Sequence, residues 1–92
     1  MQNKRVHLIV SGIVQGVWFR ESTRLKAEEL MVKGWVKNRP DRTVEIVAEG
    51  MEPNLRKFVE WCHKGPPRAV VNTVTETVQE FRGELDSFNI VF

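Results

Sequence analysis

The chain is predicted to fold as an α+β sandwich, an antiparallel sheet with two helices packed on one face. Three observations over its 92 residues predict this. Short segments with period-two apolar alternation read as strands at both ends and in the middle. Two stretches carry apolar residues at the spacing of a single helix face. The segments follow one another as strand, helix, strand, strand, helix, strand, with room for a short extra strand.

Each element has a local reason. Val6, Leu8 and Val10 alternate with His7, Ile9 and Ser11, so one strand face is apolar throughout and the other mixed. Gly12 and Gly16 bracket the next few residues, and glycine stands where a backbone turns tightly or lies close to another group. From about Glu21 to Val32 the spacing predicts a helix. Thr23, Ala27, Leu30 and Met31 share its stripe, with Arg24, Lys26, Glu28 and Glu29 mostly outside it. Gly34 stops or follows that helix. Trp35–Asn38 and Thr43–Glu49 read as strands, the second with Val44, Ile46 and Ala48 inward and Thr43, Glu45 and Glu49 outward. Arg39-Pro40-Asp41-Arg42 between them is a hairpin turn.

The second helix is the clearest element. Leu55, Phe58, Val59 and Cys62 stand at i, i+3, i+4 and i+7, Pro53 is near the first turn, and Gly65-Pro66-Pro67 ends it. Beyond it the parity is inconsistent: Val70, Val74 and Val78 share one strand face while Val71 lies on the other, which requires a bulge. Phe88, Ile90 and Phe92 alternate as a terminal strand. Each strand–helix–strand half places its strands parallel through a right-handed crossover. Two interleaved halves give the ferredoxin-like βαββαβ arrangement, read here as one domain over residues 1–92.

Composition excludes several classes. Hydrophobic residues make up 41% and charged residues 28%, a globular balance rather than a disordered one. A single cysteine cannot form an internal disulfide and suits a reducing compartment, so the expected location is cytoplasmic. No apolar run approaches the roughly 20 residues that span a bilayer. Fourteen basic against 12 acidic residues leave a net charge of +2, scattered rather than blocked, so neither nucleic acid nor membrane is expected as a partner.

Familiar catalytic patterns are absent. Cys62 and His63 are adjacent, but His7 is the only other histidine, too few ligands for a metal site. Cys62 lies on the apolar stripe and reads as a buried structural thiol. There is no Gly-Lys-Ser/Thr phosphate loop and no Gly-x-Ser-x-Gly nucleophile turn. The segment from Gly12 to Arg20 joins a strand to a helix, so its successive N–H groups can curl toward one point and bind an anion. Neither Ser22 nor Thr23 has Glu or Gln three residues on, so no capping box competes for the first N–H groups. Arg20 adds a guanidinium whose planar fork fits two phosphate oxygens. The plain alternative is a connecting loop with an exposed arginine.

Gly12-Ile13-Val14-Gln15-Gly16-Val17-Trp18-Phe19-Arg20 resembles the first signature of the acylphosphatase family, Gly-x-Val-Gln-Gly-Val-x-Phe-Arg. Gly34-Trp35-Val36-Lys37-Asn38, with Val44 and Gly50 at the expected offsets, resembles the second, and the similarity continues through Phe58, Gly65-Pro66, Phe88 and Ile90. The resemblance implies a ferredoxin-like fold and hydrolysis of the carboxyl–phosphate bond of small acyl phosphates, yielding a carboxylate and inorganic phosphate, with no metal or cofactor. It further implies that the backbone N–H groups of Ile13, Val14, Gln15, Gly16, Val17 and Trp18 hold the phosphate. Arg20 would bind its oxygens and Asn38 would orient the attacking water. The expected partners are a small-molecule acyl phosphate and inorganic phosphate, and the expected state is a monomer.

Physical sense agrees with so spare a site. The leaving carboxylate is a weak base and needs little protonation, so the barrier falls through positioning and charge stabilisation. An amide takes no proton at neutral pH, so Asn38 would hold water without acting as a base. Without the resemblance, an asparagine before a turn reads as satisfying its own backbone. Phe19 and Trp35 read as packing residues, and of Gln15 only the N–H is invoked. Arg42 departs from the family's usual glycine in the hairpin, at a cost of roughly 1–2 kcal/mol if its backbone is left-handed. Trp18 stands at a variable position where its bulk would narrow the entrance or stack on an aromatic acyl group. Met31-Val32 replaces a common Gly-Leu-type helix ending. Two other functions fit parts of the pattern: a non-catalytic phosphate-binding module, which would not need Asn38, and an RNA-binding sheet, for which Val36 and Asn38 lack the aromatic pattern.

Overall fold

Alternation at the start of the chain continues further than its apolar residues suggest, giving β1 over Asn3–Ile13. The computed structural model describes residues 2–92. After β1 come α1 (Phe19–Glu29), β2 (Lys33–Asn38), β3 (Val44–Met51), α2 (Glu52–Lys64), β4 (Val70–Gln79) and β5 (Phe88–Ile90). The strands form one sheet in the order β4-β1-β3-β2-β5. The first four strands pair antiparallel, as expected for interleaved βαβ halves. The fifth lies parallel to β2, so the complete sheet is mixed.

Register follows burial. Val6, Leu8 and Val10 of β1 face Ala48, Ile46 and Val44 of β3, and Val36 of β2 faces Ile46 in turn. All of these are buried, together with Ala27 of α1, Leu55, Phe58, Val59 and Cys62 of α2, and Phe88 of β5. A side chain of this size contributes about 1.5–3 kcal/mol when fully withdrawn from water, so this single core supplies the main driving force. Burial also pushes the Cys62 thiol up from its ordinary range, as suits an inert structural cysteine.

The bulge that the valine parity requires is present. Ser11 pairs with Thr73 but Gly12 pairs with Val71, so Asn72 is the extra residue. Val71 and Val74 therefore both pack against the core despite opposite parity, while Val70 and Val78 are exposed. Gly12 sits at this bulge, and a Cβ there would lie 2.1 Å from the carbonyl oxygen of Val70.

Three expectations are corrected. The first helix begins at Phe19 and ends at Glu29, not near Glu21 and Val32. The N–H of Met31 donates to the Glu28 carbonyl at 3.2 Å and that of Val32 to Ala27 at 2.8 Å, the two bonds of a Schellman ending. Met31 is the left-handed residue of that motif, with φ 56°, and its side chain is exposed rather than on the buried stripe. Of the two readings of Gly34, it follows the helix rather than stopping it, and it pairs with Ala48 inside the sheet.

The third correction concerns Glu49, which keeps its outward parity but is only 3% exposed. The segment between β4 and β5 crosses the sheet face there. Glu49 accepts hydrogen bonds from the N–H groups of Arg82 (2.9 Å) and Gly83 (3.2 Å) and from the Arg5 guanidinium (3.0 Å). Burial alone would raise its pKa, but these donors together hold it below the usual carboxylate range.

Candidate active site

Topology brings the chemistry-bearing segments to one end of the sheet. β1 and β2 run the same way because a right-handed crossover joins them, and α1 must run back between them. The N-terminus of α1 thus lies over the ends where β1 and β2 finish, beside residues 14–18 and Asn38. A cleft of about 440 Å³ opens at that place, lined by Val14, Gly16, Trp18, Phe19, Arg20, Glu21, Asn38, Ile90 and Phe92. A larger hollow of about 660 Å³ lies between α1 and the end of α2, but Lys26 and Glu29 in its wall are paired with each other.

The loop owes its shape to two left-handed residues. Gly16 has φ 73°, and a Cβ there would meet nothing within 4 Å, so its role is conformational rather than steric. Trp18 has φ 66° and stands as the N-cap of α1, making no side-chain cap to the helix N–H groups. Those first donors retain their partial positive charge toward the cleft, where an anion is favoured.

Of the expected residues, Val14, Gly16, Trp18, Arg20 and Asn38 share the cleft wall. Ile13 does not open the loop; it ends β1, paired with Val70. Ile13 and Gln15 instead border a separate hollow with Arg42. Val17 packs against the core. Glu21 reaches the cleft rim, but its carboxylate is paired with Arg24, whose own pKa that pairing raises.

Asn38 does not satisfy its neighbouring backbone. It ends β2, opposite Val44; its Oδ1 is buried with no hydrogen-bond partner among the described residues, and its half-buried side chain lines the cleft.

Gln15, invoked only for its N–H, carries a second role through its side chain. Nε2 donates to the carbonyl oxygens of Arg39 and Thr43, both at 2.9 Å. The amide therefore ties the loop to the hairpin that follows Asn38. No local sequence signal reveals this, because the partners lie 24 and 28 residues away.

Phe92, beyond the end of β5, is the other participant to which periodicity gave no part in the site. Its ring centroid lies 5.3 Å from the Arg20 guanidinium carbon, a cation–π distance. Phe19 is buried and packs on Trp61, with ring centroids 5.9 Å apart, as a packing residue should. Among the described residues, no three His, Cys, Asp or Glu side chains come together where they would hold a metal ion. The histidine nearest to such chemistry, His7, is hydrogen-bonded to Glu45 at 2.7 Å. Among the described residues, no helix is long and apolar enough to cross a membrane.

Comparison with known proteins decides the family. The acylphosphatase family model matches residues 6–90. The chain belongs to the acylphosphatase family. It is 48% identical over 92 residues to an acylphosphatase of Pelotomaculum thermopropionicum, covering all of both chains. It is 58% identical over 74 residues to that of Marinobacter nauticus, covering 80% of each. The crystal structure of acylphosphatase from Bacillus subtilis superposes with a TM-score of 0.93 at 39% identity, covering 97% of this chain and 99% of that one. An acylphosphatase fold thus stands behind the cleft, and both sequence signatures of the family meet in its wall.

Proposed function

We propose that the cleft hydrolyses the carboxyl–phosphate bond of small acyl phosphates. The observation that carries this reading is that the Asn38 side chain and the Arg20 guanidinium share one cleft wall beside the N-terminus of α1. One supplies a neutral amide that can hold water; the other supplies positive charge.

In this reading the phosphoryl group lies at the start of α1. Its oxygens accept from N–H groups of the loop at 14–18 and from Arg20, and the helix N-terminus favours its charge. The Asn38 amide hydrogen-bonds a water and holds it there, with a lone pair of that water directed to phosphorus. The water oxygen bonds to phosphorus as the bond from phosphorus to the carboxyl oxygen breaks. The bonding pair leaves with the carboxylate, and the water's proton passes to a phosphoryl oxygen or to solvent. Neither a general acid nor a general base is required, since the leaving group is already a weak base. Donors fixed around the equatorial oxygens strengthen as charge redistributes, each worth about 3–4 kcal/mol by analogy with oxyanion-hole donors.

Phosphate release from benzoyl phosphate and acetyl phosphate, measured beside a phosphate monoester on chelator-treated protein, tests the proposal. Turnover of the acyl phosphates and almost none of the monoester is expected, with inorganic phosphate inhibiting competitively. Equal rates on monoester and acyl phosphate would overturn the reading.

A further inference from the structure

Arg20, Asn38 and the loop backbone account for only part of the cleft. Apart from Glu21 at the rim, which is paired with Arg24, the remaining wall is apolar, formed by Trp18, Phe19, Ile90 and Phe92. Trp18 is 72% exposed and Phe92 fully so, among the largest apolar exposures in the molecule. Four other rings pack in pairs, Phe19 against Trp61 and Phe58 against Phe88, and the half-open Phe81 lies away from the cleft. Trp18 and Phe92 are instead left open beside the charged centre. Neighbouring exposed apolar groups in a concave site mark a surface that a ligand covers.

The backbone fixes both rings there. Trp18 is held at the N-cap by its left-handed conformation. Phe92 arrives because β5 runs parallel to β2, with Ile90 opposite Val36 and the Val91 N–H donating to the Val36 carbonyl at 2.9 Å. The pairing ends at Val36, and two residues after Ile90 the Phe92 ring lies over Arg20.

We propose that Trp18 and Phe92 form the acyl-group subsite of this cleft and select acyl phosphates whose acyl group is a planar aromatic ring. The inference rests on the acylphosphatase reading of the same site. In an acyl phosphate only one oxygen separates phosphorus from the carbonyl carbon. With the phosphoryl group at Arg20, the acyl group therefore extends a few ångströms away, into the aromatic wall. A benzoyl ring offers a face for both side chains to cover, whereas an acetyl methyl reaches neither. Each ring contact changes affinity by roughly three- to tenfold, the scale of one aromatic pair.

The test measures kcat/KM for benzoyl phosphate and acetyl phosphate in the unaltered protein, Trp18→Leu, Phe92→Leu and Phe92→Trp. Leucine is no more strained than tryptophan in a left-handed backbone, and position 92 is fully exposed, so folding is not at stake. The unaltered protein should favour benzoyl phosphate. Either leucine variant should lower the benzoyl-to-acetyl ratio three- to tenfold, chiefly through KM, and Phe92→Trp should keep it. No preference in the unaltered protein, or a ratio that the leucine variants leave unchanged, overturns the subsite while the acylphosphatase reading stands. Phosphate release from neither substrate overturns that reading and the subsite with it.

Discussion

Gln15 holds Arg39: its side-chain amide donates to the Arg39 carbonyl oxygen at 2.9 Å, and equally to that of Thr43. Those two carbonyls also accept from Arg42 and from Arg39 within the turn, so the amide closes the base of the hairpin onto the loop. Asn38 is the residue immediately before this clamp. The position of the proposed water-holding amide thus depends on a side chain from the opposite signature.

Gln15→Leu should therefore cost about 1–2 kcal/mol, the net worth of two hydrogen bonds, and lower kcat more than it raises KM. Gln15→Glu should be worse, because an ionised carboxylate cannot donate and would face two carbonyl oxygens. Urea midpoints and acyl phosphate kinetics on both variants check this. A glutamate variant as stable and active as the leucine one would contradict the clamp.

Binding and turnover should separate at the two polar side chains of the cleft. Asn38→Ala removes the amide that holds water but leaves the phosphate donors, so kcat should fall by about 10²–10³, the scale of a lost positioned hydrogen bond. Competitive inhibition by inorganic phosphate should change by less than about threefold. Arg20→Gln should lose both. Turnover in Asn38→Ala within threefold of the unaltered protein would remove Asn38 from the reaction and favour a binding role for the cleft.

The two helices and the first three strands with their buried faces are legible because each is written in local periodicity, whereas β4 reads as a strand without an assignable face. The parity conflict between Val71 and Val74 announced a bulge without locating it, since Asn72 becomes the odd residue only once β1 chooses its partner. What stayed hidden are long-range contacts. The Gln15 amide, the donors that close over Glu49 and the Phe92 ring over Arg20 all depend on segments that meet only after the sheet forms. The end of α1 was missed for another reason. A methionine occupies the left-handed position usually taken by glycine, so the stop signal was absent from the composition.

That same substitution yields a stability prediction. Met31 and Arg42 have φ of 56° and 73°, and both side chains lie outside the core. A left-handed backbone costs a residue with a Cβ about 1–2 kcal/mol, while glycine loses roughly 0.5–1 kcal/mol of extra entropy on folding. Met31→Gly and Arg42→Gly should each raise stability by about 0.5–1 kcal/mol and add when combined, being in separate turns. Gly in place of Arg42 also keeps the Asp41 carboxylate bonded to the Thr43 N–H and hydroxyl, so the turn survives. Urea midpoints that fall in both variants would refute the strain argument.

Glu49 should make stability depend on pH in the acid range. Its pKa is lowered in the folded protein, because the gain from the Arg82, Arg5 and Gly83 donors exceeds the cost of burial. A lowered carboxylate pKa means that the unfolded chain binds the proton first. The stabilisation is therefore complete well above the unfolded value, near 4.3, and is lost as pH falls through the folded value below it. Asp41, also lowered by its bonds to Thr43, acts with the same sign, but it is exposed and screened. Glu49→Gln removes the titration and breaks a buried pair, which should cost about 3 kcal/mol at pH 7, the lower end for such pairs, since glutamine keeps one acceptor. The gap in unfolding free energy between the two proteins should then be flat down to about pH 5 and narrow as pH falls from there toward 3. Protonation of Glu49 in the unaltered protein removes what the substitution has already removed. A gap that stays constant over that range would mean that Arg5 and the segment around Gly83 are held by packing rather than by the carboxylate's charge.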